Sequence, residues 1–108
     1  MSKEIIEILS ELKNKLVNEL KDEIHEIILF GSHNNHNAND ESDVDVLIVL
    51  KHAYDWKKKR IIRDICYDTG LKYDILIDSK IISTYELNNT PKGIHPLYKD
   101  AIENGIRT

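Results

Sequence analysis

The 108-residue sequence is sparing with cysteine, proline, glycine and large aromatics: it has one Cys, two Pro, four Gly, one Trp and one Phe. With Cys66 the sole thiol, an internal disulfide is impossible, and a reducing cytoplasm is the natural setting. No apolar run approaches the ~20 residues of a membrane span, and residues 1–12, periodic and charged, are unlike a signal peptide. Positive charge is not in excess either. The 15 Lys and Arg stand against 19 Asp and Glu, a net charge of −4, whereas a general nucleic-acid binder needs a basic footprint for the phosphates. Neither a membrane nor DNA is expected as a partner. The basic cluster Lys57 to Arg60 reads as a solvated helix face.

What is present suits a single soluble domain over residues 1–108, with 41% hydrophobic and 31% charged residues and no repeat, linker or low-complexity segment. A core of that size leaves little surplus stability, so a partner chain is expected to cover any large apolar patch, and an oligomer is compatible with the sequence.

Apolar residues at Ile5, Ile6, Leu9, Leu12, Leu16, Val17 and Leu20 predict a helix over 3–20, with Ser2 as its N-cap. Ile24 to Phe30 is dense in β-branched and large apolar residues, so a buried strand is expected there, ending in a turn at Gly31-Ser32. Residues 33–42 read as a polar loop and 43–50 as a second strand. A helix is expected from about 53 to 68, with Ala53, Trp56, Ile61, Ile62, Ile65 and Cys66 in one stripe and Gly70 closing it. A third strand is placed at Tyr73 to Ile77, turns at 88–93, and a last helix at 97–103, introduced by Pro96 and stopped at Asn104-Gly105. Helices alternating with strands predict an α/β (α+β) unit.

The chemistry is concentrated in Phe30-Gly31-Ser32, a ten-residue gap, and then Asp43-Val44-Asp45. On a strand, residues two apart share a face, so Asp43 and Asp45 project together. Two adjacent carboxylates repel, and a divalent cation resolves the conflict; Mg²⁺ favours one or two carboxylates completed by substrate phosphates. Gly31 permits close approach of backbone to phosphate, and Ser32 offers a hydroxyl. A phosphate grip beside a metal pair is what phosphoryl-type transfer needs. A third carboxylate is expected on a neighbouring strand, and both Asp74 and Asp78 are available. They share a face about 13 Å apart at roughly 3.3 Å per residue, too far for both to serve one centre. Asp74, at the start of the expected strand, is the choice, as a metal ligand and the group that helps deprotonate the attacking hydroxyl.

Gly31-Ser32, the ten-residue gap and Asp43-x-Asp45 resemble the signature of the nucleotidyltransferase superfamily that includes DNA polymerase β. In size and layout the chain is similar to the minimal (MNT) nucleotidyltransferases, including the tail Pro96-Leu97-Tyr98-Lys99 and Glu103-Asn104-Gly105-Ile106. The resemblance implies a polymerase β-like fold, a small mixed sheet with helices packed against it. It implies Gly31 and Ser32 at the nucleotide triphosphate, Asp43 and Asp45 on the metals, and Asp74 as third ligand. Two Mg²⁺ ions and ATP are implied as cofactor and substrate. So is pairing with a HEPN-type toxin, on which some members place AMP through a tyrosine while acting as antitoxin. Many relatives carry arginines and a glycine just after Gly-Ser, where this chain has His33, Asn34, Asn35 and His36, and His or Asn replaces an arginine fork only in part.

Alone, Gly31-Ser32 is an ordinary strand-ending turn and Asp43/Asp45 a solvated strand start; the combination carries the reading. His33 and His36, without further fixed ligands, are loop residues rather than a transition-metal site, and Cys66 is a core residue rather than a nucleophile. Two rivals to a protein adenylyltransferase remain. One is an antitoxin with a vestigial site that neutralises by binding alone; the other transfers to a small molecule such as an aminoglycoside.

Overall fold

The computed structural model describes residues 3–30 and 44–107, with side chains from Ile5 onward. The polar loop, the N-cap proposed at Ser2, and Gly31, Ser32 and Asp43 lie outside the described residues. Helix α1 spans Lys3–Leu20, as its periodicity predicts. Ile8, Leu9, Leu12, Leu16 and Leu20, spaced three and four apart, form its buried stripe. A short 3₁₀ turn at Lys21–Glu23 leads into β1, Ile24–Phe30, and β2 covers Val44–Leu50. Both strands read as near-continuous apolar runs because both their faces are covered.

The order continues with α2 (Trp56–Tyr73), β3 (Ile77–Ser83), α3 (Thr84–Asn89), a 3₁₀ turn (Pro91–Ile94), α4 (Pro96–Asn104) and β4 (Ile106–Arg107). The sheet order is β3-β2-β1-β4. β1 is antiparallel to β2 and to β4, while β2 and β3 run parallel across the α2 crossover. This is the expected mixed sheet. One face carries Val44, Val46, Ile48, Leu50, Ile77 and Ile81 into a core shared with α1 and with Ile62 and Cys66 of α2. The other carries Ile28, Phe30, Leu47, Val49 and Ile82 against Ala101, Leu97 and Ile102 of α4 and Leu87 of α3. Among the described residues no helix is long and apolar enough to cross a membrane.

The sequence reading is corrected between residues 53 and 83. Ala53 and Trp56 are exposed rather than part of the stripe, Trp56 to 67%, because α2 starts only at Trp56, with the Asp55 side chain accepting from the Lys58 N–H at 3.0 Å. Gly70 does not end the helix. It is buried within α2, and a Cβ there would stand 2.5 Å from the Ile75 carbonyl oxygen, so the glycine serves the close return of the chain. α2 continues for another turn, which Glu11 of α1 secures: its carboxylate accepts from Lys72 Nζ and from the Tyr73 hydroxyl, each at 2.7 Å. Asp74 then closes the helix in the left-handed region, φ 57° and ψ 44°, a conformation Asp tolerates better than most residues. The third strand consequently starts at Ile77 instead of Tyr73. Helix α3, not anticipated, follows from a capping box between Ser83 and Glu86.

Two outcomes follow from this α1–α2 junction. Gly70→Ala should destabilise by about 1–3 kcal/mol, since overpacking against backbone outweighs alanine's helix preference; urea denaturation measures it. The Glu11 carboxyl is held down to about 2 from 4.5, first by the hydrogen bond from Lys72, then by those from Tyr73 and Lys15. A carboxyl depressed in the folded state stabilises fully above its unfolded pKa and loses that contribution as pH falls through the folded one. Glu11→Gln should therefore lower Tm at pH 7, and melting curves should show the gap to wild type closing between pH 4.5 and about 2.

Candidate active site

Alternation along the strands decides what meets on the α4 face of the sheet. In β2, Asp45 takes the side of Leu47 and Val49; in β3, Asp78 and Lys80 take the side of Ile82. Register brings them together. Asp45 stands opposite Asp78 in the parallel pair and opposite Phe30 in the antiparallel one. Neighbouring strands are about 4.8 Å apart, so the two aspartates are lateral neighbours across β2 and β3, with Asp45 next to the end of β1 and Asp78 one strand further out. Both are half-buried, open enough to receive a ligand. Lys80 Nζ sits 3.7 Å from the Asp78 carboxylate, an exposed pair of small energetic value in itself.

Asp74, selected from the sequence, is not brought beside Asp45. It is exposed and caps α2, three residues before β3 begins. Asp78, set aside in the sequence reading as the residue where the strand yields to a loop, lies within the strand. Its signal was faint: Ile77 is followed by three polar residues, Asp78, Ser79 and Lys80, and only the four-residue spacing of Ile77 and Ile81 marks a common face. Among the described residues no group of three or more His, Cys, Asp or Glu clusters; the described donors are the Asp45/Asp78 pair. That pair fits a hard divalent cation, which takes oxygen ligands and leaves positions for phosphate and water.

An open groove of about 1130 Å³ runs along β3 and is lined by Asp78, Lys80, Lys92 and Tyr98 on one side and by Lys59, Arg63, Tyr67 and Leu71 of α2 on the other. Lys92 is held by Glu86 at 3.0 Å, and that hydrogen bond raises its pKa. Lys80 and Lys92 are basic groups next to the carboxylates that sequence reasoning missed. With the third strand started at Ile77, the i, i+2 rule would have put Lys80 on the face of Asp78.

With this geometry described, comparison with known proteins gives a consistent answer. The family description "Nucleotidyltransferase domain" matches residues 3–107. A protein of Methanocaldococcus jannaschii, whose name ascribes protein adenylyltransferase activity to it, is 41% identical over 101 residues, 94% of each chain. Among solved structures, a spectinomycin adenyltransferase from Enterococcus faecialis, crystallised with ATP and spectinomycin, superposes with a TM-score of 0.63 at 23% identity over 79% of this chain; the match spans 36% of that enzyme. A toxin–antitoxin structure with AMP-PNP gives 0.56 at 16% identity, covering 90% of this chain and 69% of that one. The chain belongs to the nucleotidyltransferase domain family and is a nucleotidyltransferase.

Cys66 takes no part in the site. It is buried at 2% exposure, and desolvation pushes its thiol up to about 11, against a smaller opposing effect of the Ser79 hydroxyl. The native protein should resist thiol reagents at pH 8 and react only as it unfolds; the rate of labelling followed across a urea series checks this.

Proposed function

We propose that this nucleotidyltransferase transfers AMP from ATP to a protein hydroxyl, a tyrosine of a HEPN-type toxin, and acts as that toxin's antitoxin. The observation that carries the chemistry is the Asp45–Asp78 register pair, whose Asp45 member lies beside the end of β1, the strand that precedes Gly31-Ser32 in the sequence. The protein acceptor is supported by the relative that matches 94% of each chain at 41% identity. The antitoxin role is supported by the fold shared with a toxin–antitoxin structure holding an ATP analogue.

In this reading Asp43, Asp45 and Asp78 would hold two Mg²⁺ ions, with Asp78 in the third-ligand role first given to Asp74. Bound there, Mg²⁺ neutralises triphosphate charge and acidifies the acceptor hydroxyl. Gly31 and Ser32, one and two residues beyond Phe30, grip the phosphates through peptide N–H groups and the hydroxyl. Asp78 accepts the proton as the tyrosine oxygen attacks the α-phosphorus. A new phosphorus–oxygen bond forms, the bond to the bridging oxygen breaks, and pyrophosphate leaves.

The second reading, neutralisation by binding with a weak or vestigial site, draws on the His33 to His36 loop, which lacks arginine. ATP labelled at the α-phosphate, Mg²⁺, the purified protein and the product of the adjacent gene decide between them. Label is expected on the partner, with Asp45→Ala and Asp78→Ala each lowering the rate about 100-fold or more, the scale of losing a charge-stabilising group. Asp74→Ala should stay within about threefold of wild type. A partner that stays unlabelled, yet is neutralised equally by both aspartate variants, establishes the binding reading instead.

A further inference from the structure

β3 is an edge strand, and its backbone has a defined polarity. The Val44 N–H donates to the Leu76 oxygen at 2.8 Å, so in this parallel ladder the even-numbered residues, Asp78, Lys80 and Ile82, turn their peptide groups to β2. Ile77, Ser79 and Ile81 turn theirs outward. The Tyr54 hydroxyl confirms this by donating to the outward Ile81 oxygen at 3.1 Å. Among the described residues no hydrogen bond engages the outward peptide groups of Ser79. An unpaired edge is a template for another extended chain, and this one opens into the groove at Ser79, Tyr54 meeting it only at the Ile81 oxygen.

The groove's contents say what kind of chain. At about 1130 Å³ it exceeds the roughly 300–1,000 Å³ typical of small-ligand pockets. Tyr67 and Leu71, 61% and 63% exposed, lie one turn apart on its α2 wall. Lys59 and Arg63 continue the same helical row and form no ion pair among the described residues. Lys80 and Lys92 stand on the opposite side. Asp64, Asp74 and Asp78 are the acids there, so four cations stand with three carboxylates; Lys80 is paired with Asp78 and Lys92 with Glu86, which leaves Lys59 and Arg63 as the wall's unpaired charges among the described residues. The groove is also continuous with the carboxylate site, because Asp78 lines both.

We propose that the groove between α2 and the β3 edge receives an extended, acidic segment of the acceptor protein as an added fifth strand, with its acceptor tyrosine in register with Asp78. Laterally paired residues share a face of a sheet, and successive strands are about 4.8 Å apart. A tyrosine at that position projects on the side of Asp45 and Asp78, its hydroxyl above the carboxylates. Residues flanking it in the segment point the other way, toward Tyr67 and Leu71. Main-chain bonds to the Ser79 peptide groups and the Ile81 N–H supply affinity, the Ile81 oxygen being held by Tyr54, and Lys59 and Arg63 select an acidic sequence. The register with Asp78 rests on the function proposed above; docking at the edge does not.

The probe is a peptide of alternating glutamate and valine with tyrosine replacing the central glutamate. Amide hydrogen exchange is read by NMR with and without it, and AMP transfer to it is measured separately. On binding, exchange should slow at least about tenfold at Ser79 and Ile81, and hardly at Asp78 and Lys80, whose amides already bond β2. Ser79→Pro removes an outward N–H without breaking a bond to β2, besides the hydroxyl beside Cys66, and should abolish that protection where Ser79→Ala does not. Lys59→Glu with Arg63→Glu, on the exposed wall, should raise the peptide's KM at least about tenfold at unchanged kcat, and decides the matter should the proline variant not fold. A matching peptide with lysine for glutamate should give no protection. Transfer without protection of the odd-numbered amides, an unmoved KM, or neither protection nor transfer overturns the docking proposal. Protection without any transfer leaves the docking standing and removes the proposed chemistry instead.

Discussion

The parallel pairing of β2 with β3 is the constraint on which the rest depends. Its register opposes Asp45 to Asp78 and, further along, Ile48 to Ile81, so one alignment sets both the polar centre and the core beneath it. The meeting of the two carboxylates is imposed by the apolar residues around them, because a strand shifted by one position would send Ile77 and Ile81 to the wrong face. The site's geometry is thus a by-product of core packing, which is why so small a domain can hold acidic groups at close quarters.

That register is itself maintained from a distance. The β2–β3 crossover passes through α2, whose last turn must end where β3 can begin. Glu11 of α1 fixes Lys72 and Tyr73 there, and Gly70 lets the chain return closely at Ile75. The Ile75 N–H in turn donates to the Gly70 oxygen at 2.9 Å. An ion pair on the surface of two helices therefore acts on the sheet by deciding the helix length.

Much of this was legible in the residues. α1, β1 and β2 stand where periodicity and β-branched runs put them, and strand alternation by itself assigns Asp45 its face. The end of α2 was not legible. A glycine near the close of a helical stripe reads as a terminator, whereas Gly70 is there to avoid the Ile75 carbonyl, a partner five residues on that no local pattern reveals. The apolar run Ile75 to Ile77 then imitated a strand, while the true strand, Ile77–Ser83, looked too polar because it is an edge. Asp74 was expected to lie beside Asp45 for that single reason: Asp74 and Asp78 differ by one turn of helix or four residues of strand, and which of them pairs with Asp45 turns on where helix gives way to sheet.

The period of two in β3 has an evolutionary corollary. Ile77 and Ile81 feed the core shared with α1 and α2, Asp78, Lys80 and Ile82 take the α4 face, and the odd-numbered peptide groups turn away from β2. Substitutions can retune any one of these sets without touching the others. Insertions and deletions cannot: losing a single residue at Ser79 would swing Lys80 inward and Ile81 outward together. Related sequences should therefore vary freely in composition along this segment while holding its length constant.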